Sequence, residues 1–461
     1  MKPKREPIWL ALVTATFLNA SLLDGSAQPG SPPILTLPNG AQLWFAGTTY
    51  GTINTPPSPE KYIGQHNIQI NEGETFETPQ LFVWFQWKET NTPPGRTRPR
   101  LFAKLADQKG VERGAVSYPA FSDGVLLSYA AFRVIPRRSQ MLQLNFYPEE
   151  AIFASSLNPV ASISITNPLY GHFPGWKPEA LPKVRTAGDL EVRLENLEVQ
   201  PQITSTSVQQ GKRSVTRGGN LETFFDVSLK SARGTNEAWM VQRSELSDAT
   251  GNVIRNMKFA PVNLLIDNSE TRTFNLPSDT QNFSATLWPD EAAWKLKLEL
   301  KRYAGFASNE LVTFQNVPLL RFSGLAESTS TQSIKSFYSL VGPTNEIWMT
   351  NTMGQLQVVL MEDMRWVNFA IKYMHMPKFH LKLLNAPHDW DVDVVQMTTS
   401  SGEPVHVGSG NDLIPNLATG VLEVEPFRFA FAPTNAPTVD ITCAVQKTRL
   451  LEFLVKPPSP D

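Results

Sequence analysis

The sequence predicts an all-β protein of three antiparallel β-sandwich modules in tandem, immunoglobulin-like or jelly-roll-like. Three observations support this: hydrophobic and charged residues alternate along several segments, helical periodicity is scarce, and a strand–turn–strand unit recurs three times. In residues 189–195 and 294–301, every second residue is hydrophobic and those between are mostly charged. This pattern is typical of an antiparallel sheet with one face on a core and the other in water.

The recurring unit consists of a strand, a four-residue turn that ends in glycine, and a second strand. The turns are Asp-Gln-Lys-Gly at 107–110, Asp-Ala-Thr-Gly at 248–251 and Thr-Ser-Ser-Gly at 399–402. Asp or Thr at the first position and Gly at the last predict a turn whose final residue has positive φ. The same order of parts, three times over, suggests three related sandwiches.

Two segments interrupt the alternation and are predicted to be linkers. Residues 167–188 are rich in Pro and Gly, and residues 323–333 are rich in Ser and Thr. The predicted division is a signal peptide at 1–27, modules at 28–166, 189–322 and 334–457, and a tail at 458–461. Each module is of ordinary domain size.

The first residues indicate export. Lys2, Lys4 and Arg5 precede an apolar stretch at 8–23, and small residues stand at positions 25 and 27. This is the pattern of a secretory signal peptide, cut after Ala27. The alternative is an uncleaved anchor, but the stretch is shorter than the ~20 residues that a span needs. We expect a periplasmic or extracellular protein with no stable membrane span after cleavage.

Charge and cysteine content narrow the class of protein. The formal net charge is -2, from 41 Lys+Arg and 43 Asp+Glu, which argues against a basic nucleic-acid binder and an acidic disordered chain. Cys443 is the only cysteine, so the chain cannot close an intrachain disulfide. Cys443 shares a predicted strand face with Ile441 and Val445, and we interpret it as a small buried hydrophobic residue.

Several segments resemble a known group of proteins. They are residues 37–40 (Leu-Pro-Asn-Gly), 45–51, 132–138, 174–192 and 444–457. These segments are similar to those of uncharacterised exported bacterial multi-module β-sandwich proteins that have no assigned function. The resemblance reaches all three predicted modules and implies their fold. It implies no activity, cofactor or site residue.

Catalytic motifs are missing from the sequence. It contains no His-Glu-x-x-His, no Gly-x-Ser-x-Gly, no phosphate loop with Gly-Lys-Ser/Thr and no Cys-x-x-Cys. We therefore predict no catalytic residue and no cofactor. An enzyme remains an alternative, since acidic pairs such as 149–150, 290–291 and 362–363 could serve a glycosidase if two carboxyl groups lay ~5–9.5 Å apart across a sugar.

A candidate metal site lies between residues 378 and 406. Four of the six histidines are in or next to it: His375, His380, His388 and His406. Imidazole and carboxylate groups are suitable zinc ligands, which makes His380, His388 and Asp389 candidates. Asp389, Asp391 and Asp393 alternate with hydrophobic residues, however, and this pattern favours the solvated face of a strand.

Aromatic rings on both faces of one predicted strand form a second candidate site. In residues 81–87, Phe82 and Trp84 lie on one face, and Phe85 and Trp87 on the other. A half-solvated strand needs one apolar face. The surplus face, Phe82 and Trp84, is either a ligand-binding platform for sugar rings or is buried under a neighbouring module or loop, and burial is the favoured outcome.

Two basic groups are candidate polyanion sites. They are Arg96, Arg98 and Arg100 in a Pro-rich loop, and Arg137 with Arg138 at a strand end. Solvated turns are the favoured interpretation of both.

The leading functional hypothesis is an exported, non-catalytic protein with a binding or scaffolding role at the cell envelope or outside the cell. The identity of its partner is unknown. A glycan and an envelope protein are the candidates, and we expect no nucleic-acid partner. The first alternative is a polysaccharide-acting hydrolase with acidic residues in a groove between modules. The second is a metal-binding module around His380 and His388. The sandwich fold alone does not choose between them.

Overall fold

The protein is built from antiparallel β-sheets. The computed structural model describes residues 33–36, 42–57, 75–88, 101–115, 127–148, 158–209, 212–232, 237–257, 280–318, 346–362, 374–375, 378–415, 422–433 and 438–458. These ranges contain 25 β-strands, one 3-10 turn at Ser308–Glu310 and no α-helix. The predicted all-β class is confirmed. The signal peptide at 1–27, the segment 323–333, the arginines at 96–100 and the acidic pair 149–150 lie outside the described residues.

The first two sheets enclose one core. Their strands are β1 (Leu35–Thr36), β2 (Gln42–Ile53), β3 (Thr75–Lys88), β4 (Leu101–Ala106), β5 (Glu112–Gly114), β6 (Leu127–Phe132), β7 (Met141–Pro148) and β8 (Ala161–Thr166). The strand orders are β1-β2-β3-β6 and β5-β4-β7-β8. Leu81, Val83 and Phe85 of β3 pack in the same cluster as Leu144 and Phe146 of β7.

The middle two sheets enclose the largest core. Their strands are β9 (Lys183–Ala187), β10 (Leu190–Gln209), β11 (Lys212–Ser231), β12 (Ala238–Asp248), β13 (Val253–Met257), β14 (Thr280–Phe283), β15 (Trp294–Ala304) and β25 (Arg449–Val455), in the orders β14-β11-β10-β9 and β13-β12-β15-β25. Leu190, Val192 and Leu194 pack in one cluster with Leu296 and Leu298. The predicted alternation is therefore confirmed in both segments.

A third core lies between the remaining sheets. Their strands are β16 (Leu311–Pro318), β17 (Glu346–Met353), β18 (Leu356–Glu362), β19 (Met374–His375), β20 (Lys378–Leu384), β21 (Trp390–Thr399), β22 (His406–Pro415), β23 (Leu422–Pro433) and β24 (Thr438–Lys447). One sheet has the order β16-β24-β21, and the other β17-β18-β20-β23-β19 with β22 also paired to β23. Cys443 is fully buried in this core, as predicted.

The three predicted turns share one conformation. Gly110, Gly251 and Gly402 have φ values of 82°, 93° and 83°. Each glycine N–H donates to the carbonyl of the first turn residue, at 3.1, 3.2 and 2.8 Å. Positive φ costs glycine little, because it has no Cβ. The prediction of this turn type is confirmed at all three positions.

The middle and third sandwiches exchange a strand. β16 follows β15 along the chain, yet it pairs with β24, with Leu311 opposite Ala444. β25 follows β24 after one residue, Thr448, yet it pairs with β15, with Leu300 opposite Arg449. This corrects two predicted boundaries: β16 lies before position 322 but completes the third core, and β25 lies before position 457 but completes the middle core.

The segment predicted to be a linker, 167–188, is tied to the middle sandwich. It contains β9, which pairs with β10. The Glu179 N–H donates to the Leu454 carbonyl at 2.7 Å, and Glu179 bridges to Val455 of β25. The Glu179 carboxylate also forms an ion pair with Arg185. The composition correctly predicts that regular alternation stops here, but the segment still forms the strand β9 and a backbone bridge to β25.

No helix within the described ranges combines the length and the apolar character that crossing a bilayer would require.

Candidate functional site

The candidate aromatic platform is buried. Phe82 and Trp84 are 0% and 1% exposed, in a cluster that includes Leu127 and Tyr129 of β6. The Trp84 indole N–H donates to the Thr49 hydroxyl at 2.9 Å, so its polar group is satisfied inside the protein. The hypothesis of a surface platform at Phe82 and Trp84 is therefore wrong, and burial, the favoured outcome, is what the structure shows.

The structure does not bring the metal-ligand candidates together. His380 is buried on β20, while His388 is exposed in the turn before β21. The Asp389 carboxylate lies 2.6 Å from the Lys447 ammonium, and this hydrogen bond holds the pKa of Asp389 below its usual value. In the part of the chain that the structure describes, no group of three or more His, Cys, Asp or Glu side chains could hold a metal ion.

Asp393 is not on a solvated face, contrary to the prediction, and Asp391 beside it is only partly exposed. Both carboxylates contact the ammonium of Lys301 on β15, with Nζ 2.5 Å from Asp391 Oδ2 and 3.0 Å from Asp393 Oδ2. The Lys301 side chain is 2% exposed and that of Asp393 is 7% exposed. The alternation correctly predicts that both aspartates lie outside the third core, but their side of the sheet faces the middle sandwich.

Arg302, the next residue, forms a second buried cluster. Its guanidinium donates to Glu237 at 2.8 Å and to Glu310 at 2.5 Å. Glu310 also accepts from the Ala307 N–H at 2.7 Å, which fixes the 3-10 turn between β15 and β16. The Gln446 side-chain amide pairs with both the N–H and the carbonyl of Arg302, at 3.0 and 2.7 Å. Residues 301 and 302 thus connect the middle and third sandwiches.

A third polar cluster joins the first sandwich to the middle one. Val134 packs in the middle core and Ile135 in the first core. The Asn252 side chain accepts from the Ile135 N–H at 2.9 Å and donates to its carbonyl at 2.8 Å. Asn252 itself is 1% exposed. Two adjacent residues are therefore anchored in different cores, and one amide pairs with the backbone between them.

Ion pairs surround this junction. Arg138 binds both carboxylate oxygens of Glu291, at 2.8 and 3.0 Å, and donates to the carbonyls of Phe173 and Pro174. Lys109 lies 3.0 Å from Asp290. Arg138 is therefore part of a bidentate pair and not simply a solvated turn. The acidic pair 290–291, which suggested a glycosidase, is neutralised by these two cations.

Replacing Asn252 with Ala is expected to destabilise the first junction by about 1–3 kcal/mol, because it leaves the buried N–H of Ile135 without its partner and removes one of two donors to the Ile135 carbonyl, which also accepts from the Arg137 N–H at 2.9 Å. Chemical denaturation of the two proteins measures this difference. Gln242 on β12 is also mostly buried, but its side-chain oxygen has no hydrogen-bond partner among the described residues. Gln242→Ala therefore tests whether the loss of any buried amide is equally costly. An Asn252→Ala variant as stable as the parent would contradict the role of this amide.

Sequence reasoning did not single out the residues at the centre of these clusters, among them Glu237, Asn252, Lys301 and Arg302. The available signal was local: the alternation of residues 294–301 ends in Lys301, a second cation, Arg302, follows directly, and both are buried. The pairing of β12 with β15 contains a register shift between Val241 and Arg243, which lies next to this point. A bulge of this kind changes the direction of neighbouring side chains.

Comparisons with known proteins leave the function open. No protein-family model matches this chain, and a search of curated proteins finds no significant match. Its function is therefore inferred from the residues themselves.

Proposed function

We propose that this chain is an exported, non-catalytic β-sandwich protein that binds or scaffolds a partner at the cell envelope or outside the cell. One observation carries the proposal: in the charged clusters at the two sandwich junctions, the carboxylates are bound by cationic side chains within the protein. Export is supported by the sequence of residues 1–27, and cleavage after Ala27 would release the remainder.

The paired carboxylates favour a structural role over acid–base chemistry. A glycosidase needs one carboxyl group with a raised pKa and a second one held across the sugar. Glu291 is bound by Arg138, and Glu237 is bound by Arg302. Burial does raise the pKa of Glu299, but Arg243 at 3.9 Å opposes this rise. Glu299 also lies on the same strand as Lys301, at the edge of the junction cluster.

The junctions also favour scaffolding. Domains that are joined by short polar linkers usually move relative to each other. Here the Asn252 amide, the Arg138–Glu291 pair and the strand exchange tie consecutive sandwiches together. A chain held in this way presents its outer sheet faces at fixed distances, which is the property that a scaffold or a multi-point binder requires.

A pull-down with insoluble polysaccharides and envelope fractions tests this proposal. We expect the mature protein to be depleted from solution by at least one of them without release of soluble sugar. The matched control is Glu291→Gln, which removes one carboxylate of the acidic pair. Sugar release by the parent that this variant abolishes would support the hydrolase alternative. Absence of depletion by every fraction would contradict a binding role.

A further inference from the structure

A buried lysine lies between two aspartates where the middle and third sandwiches meet. We infer that Lys301 and Asp393 form an isopeptide bond, a covalent cross-link between β15 of one sandwich and β21 of the other. This modification site goes beyond the proposed binding or scaffolding role and does not depend on it.

The geometry brings the reacting groups together. Lys301 Nζ lies 3.0 Å from Asp393 Oδ2, and both side chains are more than nine-tenths buried. The Asp393 Oδ1 atom accepts from the Val394 N–H at 2.9 Å, so the carboxyl group is held in one orientation. Fixed proximity of this kind replaces a bimolecular encounter, which is a major part of the barrier to amide formation.

Burial also favours the reactive protonation states. A desolvated ammonium and carboxylate are costly, and transfer of one proton converts them into a neutral amine and a neutral acid. The neutral amine is the nucleophile, and a lysine in a water-poor site is activated in this way. Burial raises the pKa of the neighbouring Glu299 carboxyl, with Asp391 adding to the rise and Arg243 and Lys301 opposing it, so desolvation penalises the charged form of that carboxyl.

Asp391 is placed to relay the protons. Its Oδ2 atom is 2.5 Å from Lys301 Nζ, and its side chain is 33% exposed, so it can exchange protons with solvent. In the reaction the Nζ–Cγ bond forms on Asp393 and the Cγ–Oδ2 bond breaks. The ammonium and carboxylate together become one amide and one water; two of the three ammonium protons leave with Oδ2, through Asp391. No oxidant or other reactant is required.

The chain contains a matched ion pair that lacks these features. Lys447 Nζ lies 2.6 Å from Asp389 Oδ2, between the 2.5 and 3.0 Å separations of Lys301, but the Lys447 side chain is 53% exposed. Such a lysine is solvated and lacks the desolvation that activates a lysine amine as a nucleophile. Lys447 and Asp389 should therefore remain unlinked in the same molecule.

Mass spectrometry of the denatured, purified protein tests the inference. We expect an intact mass lower than that of the processed sequence by one water molecule, and a proteolytic map in which the peptide containing Lys301 is joined to the one containing Asp393. An intact mass equal to that of the processed sequence would overturn the inference. A link between Lys301 and Asp391, or a link formed by Lys447, would overturn it as well. This experiment uses the protein without substitutions, so its result does not depend on whether a variant folds.

Two variants test the assigned roles. Lys301→Met should have the full mass of its own sequence, and Asp391→Asn should remain unlinked, because the relay is lost. Asp389→Asn is the control and should be linked as completely as the parent. Complete linkage in the Asp391→Asn variant would overturn the relay, and a reduced mass in Lys301→Met would overturn the choice of lysine.

Discussion

Replacing Phe453 with Ala is expected to destabilise the protein by about 3–5 kcal/mol, the usual cost of removing a large aromatic ring from a packed core. Phe453 lies on β25 and is 1% exposed, opposite Leu296 of β15 and within the middle core. The loss should appear as a lower midpoint in chemical denaturation, followed by tryptophan fluorescence, because Trp288 and Trp294 lie in the same core.

The same strand provides the control. Leu450 is 58% exposed, and Leu450→Ala should change the stability by no more than about 0.5 kcal/mol. Because β24 and β25 are separated by one residue, unfolding of the middle core should also affect the third. We expect one shared transition for both. Equal stability of the Phe453→Ala and Leu450→Ala proteins would contradict the position of β25.

Replacing Arg302 with Ala is expected to cost about 3–5 kcal/mol, because it leaves the buried Glu237 carboxylate without its cation. The Arg302 and Glu237 side chains are 7% and 9% exposed and lie 2.8 Å apart. The guanidinium also lies over the rings of Trp239 and Phe306, so packing is lost as well. Thermal and chemical unfolding of the purified variant measure the effect.

An exposed pair of the same length is the control for Arg302. Arg255 lies 2.8 Å from Glu245, but its side chain is 49% exposed. Arg255→Ala should therefore cost about 0–1 kcal/mol. Adding Glu237→Gln to Arg302→Ala should recover part of the loss, because a buried charge is removed. An equal loss in the free energy of unfolding for Arg302→Ala and Arg255→Ala would contradict the burial of the charges around Arg302.

The elements of this fold follow from local sequence, but their partners do not. The strand at 189–195 and the turns that end in glycine at 110, 251 and 402 depend on neighbouring residues, and the local sequence predicts both. The exchange of β16 and β25 depends on which distant edge each strand meets. Either strand has the same alternating pattern whichever sandwich it completes, so residues 311–318 and 449–455 carry no local sign of the exchange.

The candidate site shows the same division. A period of two predicts that Asp391 and Asp393 point away from the core of their own sandwich, and they do. It cannot predict whether that side faces water or a second sandwich. Only the arrangement of the modules brings Lys301 to Asp393 and turns a face that appeared solvated into a buried junction. For Phe82 and Trp84 the sequence left both outcomes open, and coverage on the second face decided between them.

The position of β25 has a consequence for how the polypeptide is made. Residues 294–300 find their partner in residues 449–455, and all the chain between them must be synthesised before the two can meet. Loop closure over such a distance is slow. The nascent middle domain would therefore spend time with one sheet edge unpaired, exposed to aggregation and to proteases, and a ribosome stalled before position 455 would leave a product that cannot mature.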